Sequence, residues 1–149
     1  MLSRKTRYAI MAMTALAESF GKGPLPMSRI AESKNIPLRF LEGILLQLKR
    51  EGILESIRGV DGGYALKRPP ETISLIDVLR VTEGSMSYVS CSDCVSKVEC
   101  EFGWNPDTCG IRRIFSDVYA SLLHKMETTT LKDLIIVAIP GQIHTENPI

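Results

Sequence analysis

The sequence has few of the residues from which enzyme active sites are usually built. Two of its 149 residues are histidine, 6% are aromatic, and no cysteine occurs before Cys91. It has no Ser-His-Asp set, no histidine near a candidate nucleophile and no recognisable pair of catalytic carboxylates. We therefore expect a protein that is not an enzyme.

A hydrophobic run long enough to cross a membrane is also lacking. The alanine- and methionine-rich segment that follows MLSRKTRYAI is interrupted by Glu18, and no small-residue cleavage site accompanies it. With 44% hydrophobic and 23% charged residues, the composition is that of an ordinary globular domain with a core. We expect a cytoplasmic protein that does not bind membranes.

Positive charge is concentrated in the first half of the chain. Residues 1–70 contain twelve Lys or Arg and six Asp or Glu, whereas residues 71–149 contain six and eleven, so the net charges are +6 and −5. Chance asymmetry on solvated surfaces is one explanation. The other is a polyanionic partner for the basic half, which such a division favours.

Turn and capping signals divide residues 1–84 into helices and a hairpin. Ser3, Ser28 and Ser74 are candidate helix N-caps, and Pro37 suits the first turn of a helix. Two short apolar segments flank a glycine-rich turn, which is the pattern of a β-hairpin. The predicted helices cover residues 3–20, 28–34, 37–52 and 75–83, and the predicted strands cover 53–57 and 64–66.

Three helices followed by a hairpin is the order of a winged helix-turn-helix, a mainly α fold with a small β-hairpin. In the third helix, apolar residues repeat at i, i+3, i+4 and i+7 and are expected to face the core; they are Leu41, Ile44, Leu45 and Leu48. The opposite face could enter the major groove, where arginine binds guanine and glutamate accepts from cytosine N4. Its residues are Arg39, Glu42, Gly43 and Arg50.

The hairpin turn SIRGVDGGYAL leaves three alternatives. A phosphate-binding Walker loop would end in Gly-Lys-Ser/Thr and lead into a helix, and this turn has neither feature. A plain hairpin stays open because Asp-Gly is a common turn dipeptide. In a DNA-binding wing, the glycines would let the backbone approach the duplex and Arg58 could enter a narrow minor groove. The predicted DNA-binding residues are Arg4, Lys5, Arg7, Ser28, Arg39, Glu42, Arg50, Arg58, Gly59, Gly62 and Gly63.

All four cysteines lie within 19 residues, in the acidic half of the chain. In a cytosolic protein such clustering indicates metal or redox chemistry more than a structural disulfide framework. A zinc site stays open, although four-thiolate zinc sites usually have two close pairs and this sequence has one. A disulfide switch without metal stays open as well. The spacing is Cys91-x2-Cys94-x5-Cys100-x8-Cys109.

A long amphipathic helix is predicted from Gly110 onward. Its apolar residues alternate steps of four and three, which gives a seam long enough to pair with a second copy. Thr130 is a candidate cap for a brief helix after it. We predict a DNA-binding domain at 1–84, a cysteine-rich loop at 85–109, a dimerisation helix with a short helix at 110–137, and a flexible tail at 138–149. The residues expected to be buried between subunits are Ile111, Phe115, Val118 and Leu122, with Met126 continuing the seam.

Several segments together resemble one family of bacterial regulators. They are MLSRKTRYA, Leu41-Glu42, RGVDGGYAL, ISLIDVLRVTEG and TTTLKDL, and they are similar to the transcription regulators typified by IscR, NsrR and CymR. The resemblance extends over about residues 1–137. It implies a homodimer that binds a palindromic operator in double-stranded DNA, with Arg39 and Glu42 as base readers and Arg58 as the wing contact. Gly43 stands where a glutamine is common, which removes one base contact.

The resemblance also favours an iron–sulfur cluster in the cysteine loop, of the 2Fe–2S type more than the 4Fe–4S type. Cluster-binding members carry three cysteines there and add another ligand, at positions occupied here by Arg112 or Arg7, which cannot ligate. Because His124 and His144 lie too far along the chain, we predict that all four cysteines bind the cluster. A small iron–sulfur electron carrier is the alternative class, and it would not need a basic half with a reading helix.

Overall fold

The computed structural model describes residues 2–84 and 108–137, in which six α-helices, a short 3₁₀ helix and one antiparallel hairpin are formed. The prediction of a mainly α fold with a small β-hairpin is confirmed. The elements are α1 (Arg4–Glu18), α2 (Met27–Lys34), α3 (Leu38–Arg50), β1 (Leu54–Ile57), β2 (Gly63–Leu66), the 3₁₀ helix (Pro70–Thr72), α4 (Leu75–Glu83), α5 (Gly110–Thr128) and α6 (Leu131–Val137).

Three of the predicted N-caps are present. The Ser3 hydroxyl accepts from the Thr6 N–H at 3.1 Å, and Ser74 forms a capping box with Asp77 at the start of α4. At the start of α6, the Thr130 hydroxyl accepts from the Asp133 N–H at 3.3 Å. Each cap satisfies an amide that would otherwise lack a partner in the first helical turn.

The predicted cap at Ser28 is wrong. Helix α2 begins one residue earlier, at Met27, and its N-cap position is held by Pro26 without a side-chain hydrogen bond. The reason lies in the preceding residue, Leu25, which is extended and pairs with Tyr64 of the hairpin. The chain therefore turns into the helix directly at Pro26, whose fixed φ of −58° is compatible with that position. Pro37 likewise lies at the N-cap of α3 rather than in its first turn.

The core lies between α1, α3, α4 and the hairpin. The apolar stripe predicted on α3 is confirmed, because its four leucine and isoleucine residues are 0–2% exposed. They pack with α1 residues that repeat at helical spacing and with the first residue of α6. The large side chains at the centre are Met13, Leu16, Ile30, Leu41, Leu45, Leu48, Leu54, Leu79 and Leu131.

The hairpin is attached to the connection between α1 and α2. Its strands pair antiparallel, with Leu54 opposite Leu66 and Ile57 opposite Gly63. Leu25 extends this sheet by one residue, since its N–H donates to the Tyr64 carbonyl at 2.8 Å and its carbonyl accepts from the Tyr64 N–H at 3.0 Å. The half of the hairpin nearer the turn is thus fixed by a segment that lies about forty residues earlier in the sequence.

Helix α6 contributes to the core of the described chain, whereas helix α5 does not. At their junction, the Leu75 N–H donates to the Thr129 carbonyl at 2.8 Å and the Leu131 N–H donates to the Ile73 carbonyl at 3.0 Å. Leu131 is fully buried in the core, whereas α5 has no buried residue. We call residues 2–84 together with α6 the winged unit. Helix α5 lies against its surface.

Candidate nucleic-acid interface and cysteine segment

The outward face of α3 carries exposed charged side chains. Arg39, Glu42, Gly43 and Arg50 are all exposed, and within residues 2–84 and 108–137 none of the three charged groups forms an ion pair. No atom lies within 4 Å of the point where a Cβ on Gly43 would stand. This face is therefore open, and its charges are available to a ligand.

Arg39 is held by an aromatic contact that the sequence did not reveal. The Arg39 guanidinium carbon lies 4.9 Å from the centroid of the Phe40 ring. The Phe40 ring in turn lies 6.0 Å from that of Tyr8 on α1, centroid to centroid, with the ring planes at 44°. A cation–π contact at an exposed site contributes about 0.5–1 kcal/mol. Because Tyr8 and Phe40 lie on different helices, no periodicity in the sequence could have paired them.

The first turn of α1 adds a second group of positive charges. Arg4, Lys5 and Arg7 are exposed, and α1 has no acidic residue in its first turn. Positive side chains at a helix N-terminus oppose the helix dipole, so an anion nearby would be favoured. Ser28 is exposed in the first turn of α2, where its hydroxyl is free of the capping role that we predicted.

The turn of the hairpin is exposed and contains Arg58 at its start. Gly59 has φ of +127°, a conformation that L side chains rarely adopt. Gly62 and Gly63 are required for packing within the chain. A Cβ on Gly62 would stand 2.5 Å from the Ile57 carbonyl oxygen, and one on Gly63 would stand 2.7 Å from the Pro26 nitrogen. Their proposed approach to a duplex stays a prediction.

Lys49 is a further cation between α3 and the hairpin, and no pattern in the sequence identified it as part of the site. Its Nζ lies 2.5 Å from the Ser56 hydroxyl of β1, and the residue is exposed. The contact connects the C-terminal turn of α3 to the half of β1 that is nearer the hairpin turn. Lysine there also suits the negative end of the α3 dipole.

Cys109 is the one cysteine within the described residues, and Cys91, Cys94 and Cys100 lie outside them. Cys109 is half-buried at the N-cap of α5, where its carbonyl accepts from the Arg113 N–H at 3.1 Å and its side chain makes no capping hydrogen bond. Its thiol therefore does not cap the helix.

The donor set of the chain fits a thiolate-ligated group. No three His, Cys, Asp or Glu side chains are gathered as a metal site within residues 2–84 and 108–137. The exposed Arg7 lies on α1 and Arg112 lies in the first turn of α5, so neither position offers a nitrogen or oxygen ligand. An iron–sulfur cluster normally takes four thiolates or a substitute for one of them. Ligation by all four cysteines stays a prediction, which this requirement is consistent with.

Helix α5 leaves a stripe of large apolar side chains uncovered. The exposed fractions are 51% for Ile111, 65% for Ile114, 47% for Phe115, 62% for Val118 and 43% for Leu122. A neighbouring stripe is half-buried and includes Leu123 and Met126, so Met126 does not share the exposure of the predicted seam. Although α5 is 19 residues long, neither it nor any other helix in the described part of the chain is apolar enough to cross a membrane.

These features define the class of the protein. Three helices, an open charged face on the third and a hairpin fixed beside it form a winged helix-turn-helix, a fold that places a helix in the major groove of DNA. The family model named Rrf2, described as an iron-dependent transcriptional regulator, matches residues 2–136. The chain belongs to the Rrf2 family of transcriptional regulators.

Individual relatives agree with this assignment. The chain is 32% identical over 144 residues to the HTH-type transcriptional regulator rrf2-like of Rhodobacter capsulatus, covering 95% of this chain and 96% of the relative. The structure of CymR, the global cysteine regulator of B. subtilis, has a TM-score of 0.78 and 30% identity over 93% of this chain and 98% of that one. T. potens IscR has a TM-score of 0.74 and 28% identity over 98% of this chain and 93% of that one. The resemblance to IscR-like and CymR-like regulators is therefore confirmed.

Proposed function

We propose that this Rrf2-family regulator is a cytoplasmic homodimer that binds a palindromic DNA operator and whose binding is controlled through its four cysteines. The observation that carries the DNA part is the open face of α3, where Arg39, Glu42 and Arg50 are exposed and unpaired within the described residues. A winged helix-turn-helix places such a face against base edges.

Each group of charges has its own role in this proposal. Arg39 binds guanine O6 and N7, and Glu42 accepts from cytosine N4. Arg58 enters the minor groove beside the wing. The remaining residues bind phosphates, which gives affinity without sequence preference; they are Arg4, Lys5, Arg7, Ser28, Arg50 and the backbone at Gly59, Gly62 and Gly63. The cation–π contact with Phe40 limits the directions in which Arg39 can point, which favours its role as a base reader.

The dimer in this proposal is built on α5. Five large apolar side chains are exposed along it, and a contiguous apolar stripe on a helix is typical of a protein interface. Pairing of two such helices would bury Ile111, Phe115, Val118 and Leu122 of both subunits. The two α3 helices would then read half-sites about 34 Å apart, or a multiple of that distance.

The cysteine segment joins α4 to α5, and this position supports its role in control. Cys91, Cys94, Cys100 and Cys109 would hold an iron–sulfur cluster, which when bound supplies a redox-active group ligated by thiolates. Helix α5 is hydrogen-bonded to the winged unit at its C-terminal end, while Cys109 stands at its N-terminal end, about 28 Å away. Gathering the four thiolates would restrain the N-terminal end of α5 and hence the spacing of the two reading helices.

A thiol-based regulator without metal is the second candidate. It is favoured by the likeness to CymR, which is named as the global cysteine regulator of B. subtilis. In this case two of the four cysteines would form a disulfide on oxidation, with loss of two electrons and two protons to an oxidant. The same segment between α4 and α5 would be restrained, so both candidates act on the same helix.

The proposed DNA-binding roles are tested by comparing Arg39→Ala with Arg4→Ala. Arg39→Ala should cost about 1–3 kcal/mol at its cognate base pair and relax the preference there. Arg4→Ala should weaken operator and random DNA alike and reduce the salt slope by about one. Binding of both variants to operator and random duplexes is measured over a range of salt. The recognition role of Arg39 is wrong if its loss weakens both duplexes equally.

The proposed iron–sulfur cluster is tested by purification without oxygen, followed by absorption spectra and assays of iron and acid-labile sulfide. Each cysteine is changed to serine in turn, and each change should reduce the cluster content. Full cluster content in both Cys91→Ser and Cys94→Ser would contradict four-thiolate ligation. Zinc in the wild-type protein would contradict both candidates, and metal-free protein with a reversible disulfide would favour the thiol-based one.

A further inference from the structure

A hydrogen-bonded cluster joins the start of α1 to the end of α4. The Glu83 carboxylate accepts from the Ser3 N–H at 3.0 Å and from the hydroxyl of Thr6. The hydroxyl oxygens of Thr6 and Thr82 lie 2.8 Å apart. Thr6 is fully buried and Thr82 is 8% exposed, so the loss of Glu83 would remove a partner from a buried hydroxyl.

This cluster places a negative charge where α1 itself has none. The first turn of α1 carries Arg4, Lys5 and Arg7 and no acidic residue, although a carboxylate is what a helix N-terminus favours. Glu83 supplies that carboxylate from a different helix. Hydrogen bonds from Thr6 and Ser3, together with the charge of Lys5, lower the pKa of Glu83. The side chain is therefore ionised at neutral pH.

We propose that Glu83 is a positioning residue for DNA binding, which holds the first turn of α1 in place so that Arg4, Lys5 and Arg7 meet the phosphate backbone. The inference rests on the proposed phosphate role of these three residues. The expected change in DNA affinity on loss of Glu83 is opposite to the change that its charge alone would cause. Removal of a negative charge from a DNA-binding surface should by itself strengthen binding, whereas loss of a positioning residue should weaken it.

The test compares Glu83→Ala, Glu83→Gln and the control Glu71→Gln in the full-length protein. Glu71 is an exposed glutamate of the winged unit, so its replacement removes the same charge without touching the cluster. Glu83→Ala should bind operator and random duplexes several-fold more weakly and should reduce the salt slope by about one. Glu83→Gln keeps an oxygen that can accept from Ser3 and should restore part of the affinity. Glu71→Gln should bind as tightly as the wild-type protein or more tightly.

Hydrogen exchange of the amides of Ser3, Thr6 and Arg7, each of which donates a hydrogen bond at the start of α1, separates this inference from the proposed function. Exchange is measured without DNA and should be several-fold faster in Glu83→Ala than in the wild type and in Glu71→Gln. Unchanged exchange would overturn the connection between α4 and α1. Faster exchange with wild-type DNA affinity would overturn the positioning role. If Arg4→Ala also leaves DNA affinity unchanged, the phosphate contact in the proposed function has failed, and the positioning role fails with it.

The salt dependence of DNA binding distinguishes a loss of positioning in Glu83→Ala from a general loss of stability. A partly unfolded sample lowers the active fraction but leaves the salt slope of the folded fraction unaltered, because the slope counts the phosphates neutralised. Thr82→Val serves as a second variant that disturbs the buried cluster without altering charge. It should reproduce part of the faster exchange at the Ser3, Thr6 and Arg7 amides, and wild-type exchange in this variant would count against a shared cluster.

Discussion

Helices α3 and α5 are both amphipathic, but α3 exposes charged residues together with a few apolar ones, whereas α5 exposes a continuous apolar stripe. The inner stripe of α3 is 0–2% exposed, and its outer face presents Arg39, Glu42 and Arg50. On α5 no residue is buried, and the uncovered stripe is apolar, with Ile114 and Val118 more than 60% exposed. The chain itself therefore covers the inner stripe of α3, although Leu38, Phe40 and Leu46 stay 41–49% exposed, whereas no part of the chain covers the apolar stripe of α5 within the described residues.

The difference indicates which partner each surface requires. A charged face that is exposed around an intact core gains nothing from further apolar burial and is suited to a charged ligand. An exposed apolar stripe on a helix costs free energy in water until another apolar surface covers it. Because α5 contributes no side chain to the core, its own stability depends on that cover more than the stability of α3 does.

Val118→Asp is expected to have the largest effect, and it acts on α5 alone. In a dimer paired along the seam, the change places an unpaired carboxylate in an apolar contact twice, at a cost of about 3–5 kcal/mol each. The protein should become monomeric in sedimentation while the winged unit stays folded. Ala120→Asp, on an exposed part of α5 outside the seam, is the matched control and should stay dimeric. A dimeric Val118→Asp would remove the seam as the interface.

Leu131→Ala should have the next largest effect, and it acts on the winged unit. Leu131 is fully buried although it follows α5 in the sequence, and truncation of a buried leucine usually costs about 2–5 kcal/mol. The free energy of unfolding of the winged unit should fall by that amount in denaturant titrations. Lys132→Ala, an exposed position on the same helix, should change it by less than about 0.5 kcal/mol. Equal effects of the two changes would mean that α6 is not part of this core.

Gly43→Ala should have a smaller effect of opposite sign, on the outer face of α3. A Cβ there meets no atom within 4 Å, and Gly to Ala inside a helix stabilises by about 0.5–1 kcal/mol. Gly52→Ala is the control, because Gly52 has equal space but a φ of +73°, where alanine costs about 1–2 kcal/mol. The two variants should shift the denaturation midpoint in opposite directions. A loss of stability in Gly43→Ala would show that a Cβ at this position is not accommodated without strain.

The contribution of ionised Glu83 to the free energy of unfolding, and its dependence on pH, should be the smallest of these effects. The side chain is partly exposed to solvent, which screens its charge. Its pKa is lowered in the folded protein by hydrogen bonds from Thr6 and Ser3. The stabilisation is therefore complete above the ordinary glutamate pKa and is lost as the pH falls through the lower folded value. The difference in unfolding free energy between wild type and Glu83→Gln should shrink on acidification from pH 7. A constant difference would mean that the carboxylate charge contributes nothing.

Much of the winged unit could be predicted because its signals are local. The caps at Ser3, Ser74 and Thr130 and the spacing of apolar residues on α3 identified helices whose limits agree with the structure to within about two residues. The prediction of a cap at Ser28 is wrong because the start of α2 is set by the pairing of Leu25 with Tyr64. That contact is between segments far apart in the sequence and has no local signal.

Local patterns were enough to predict the order of helices and hairpin, the charged residues on the outer face of α3 and the apolar stripe of α5, because helical periodicity assigns each residue to a face. The packing of the elements in three dimensions determines which faces the chain covers. The structure shows that Leu131 enters the core, that Phe40 and Tyr8 meet beside Arg39, and that Glu83 supplies the carboxylate missing from the first turn of α1. Each of these contacts joins residues on separate elements, so its geometry depends on how the helices pack and is not written in any single segment.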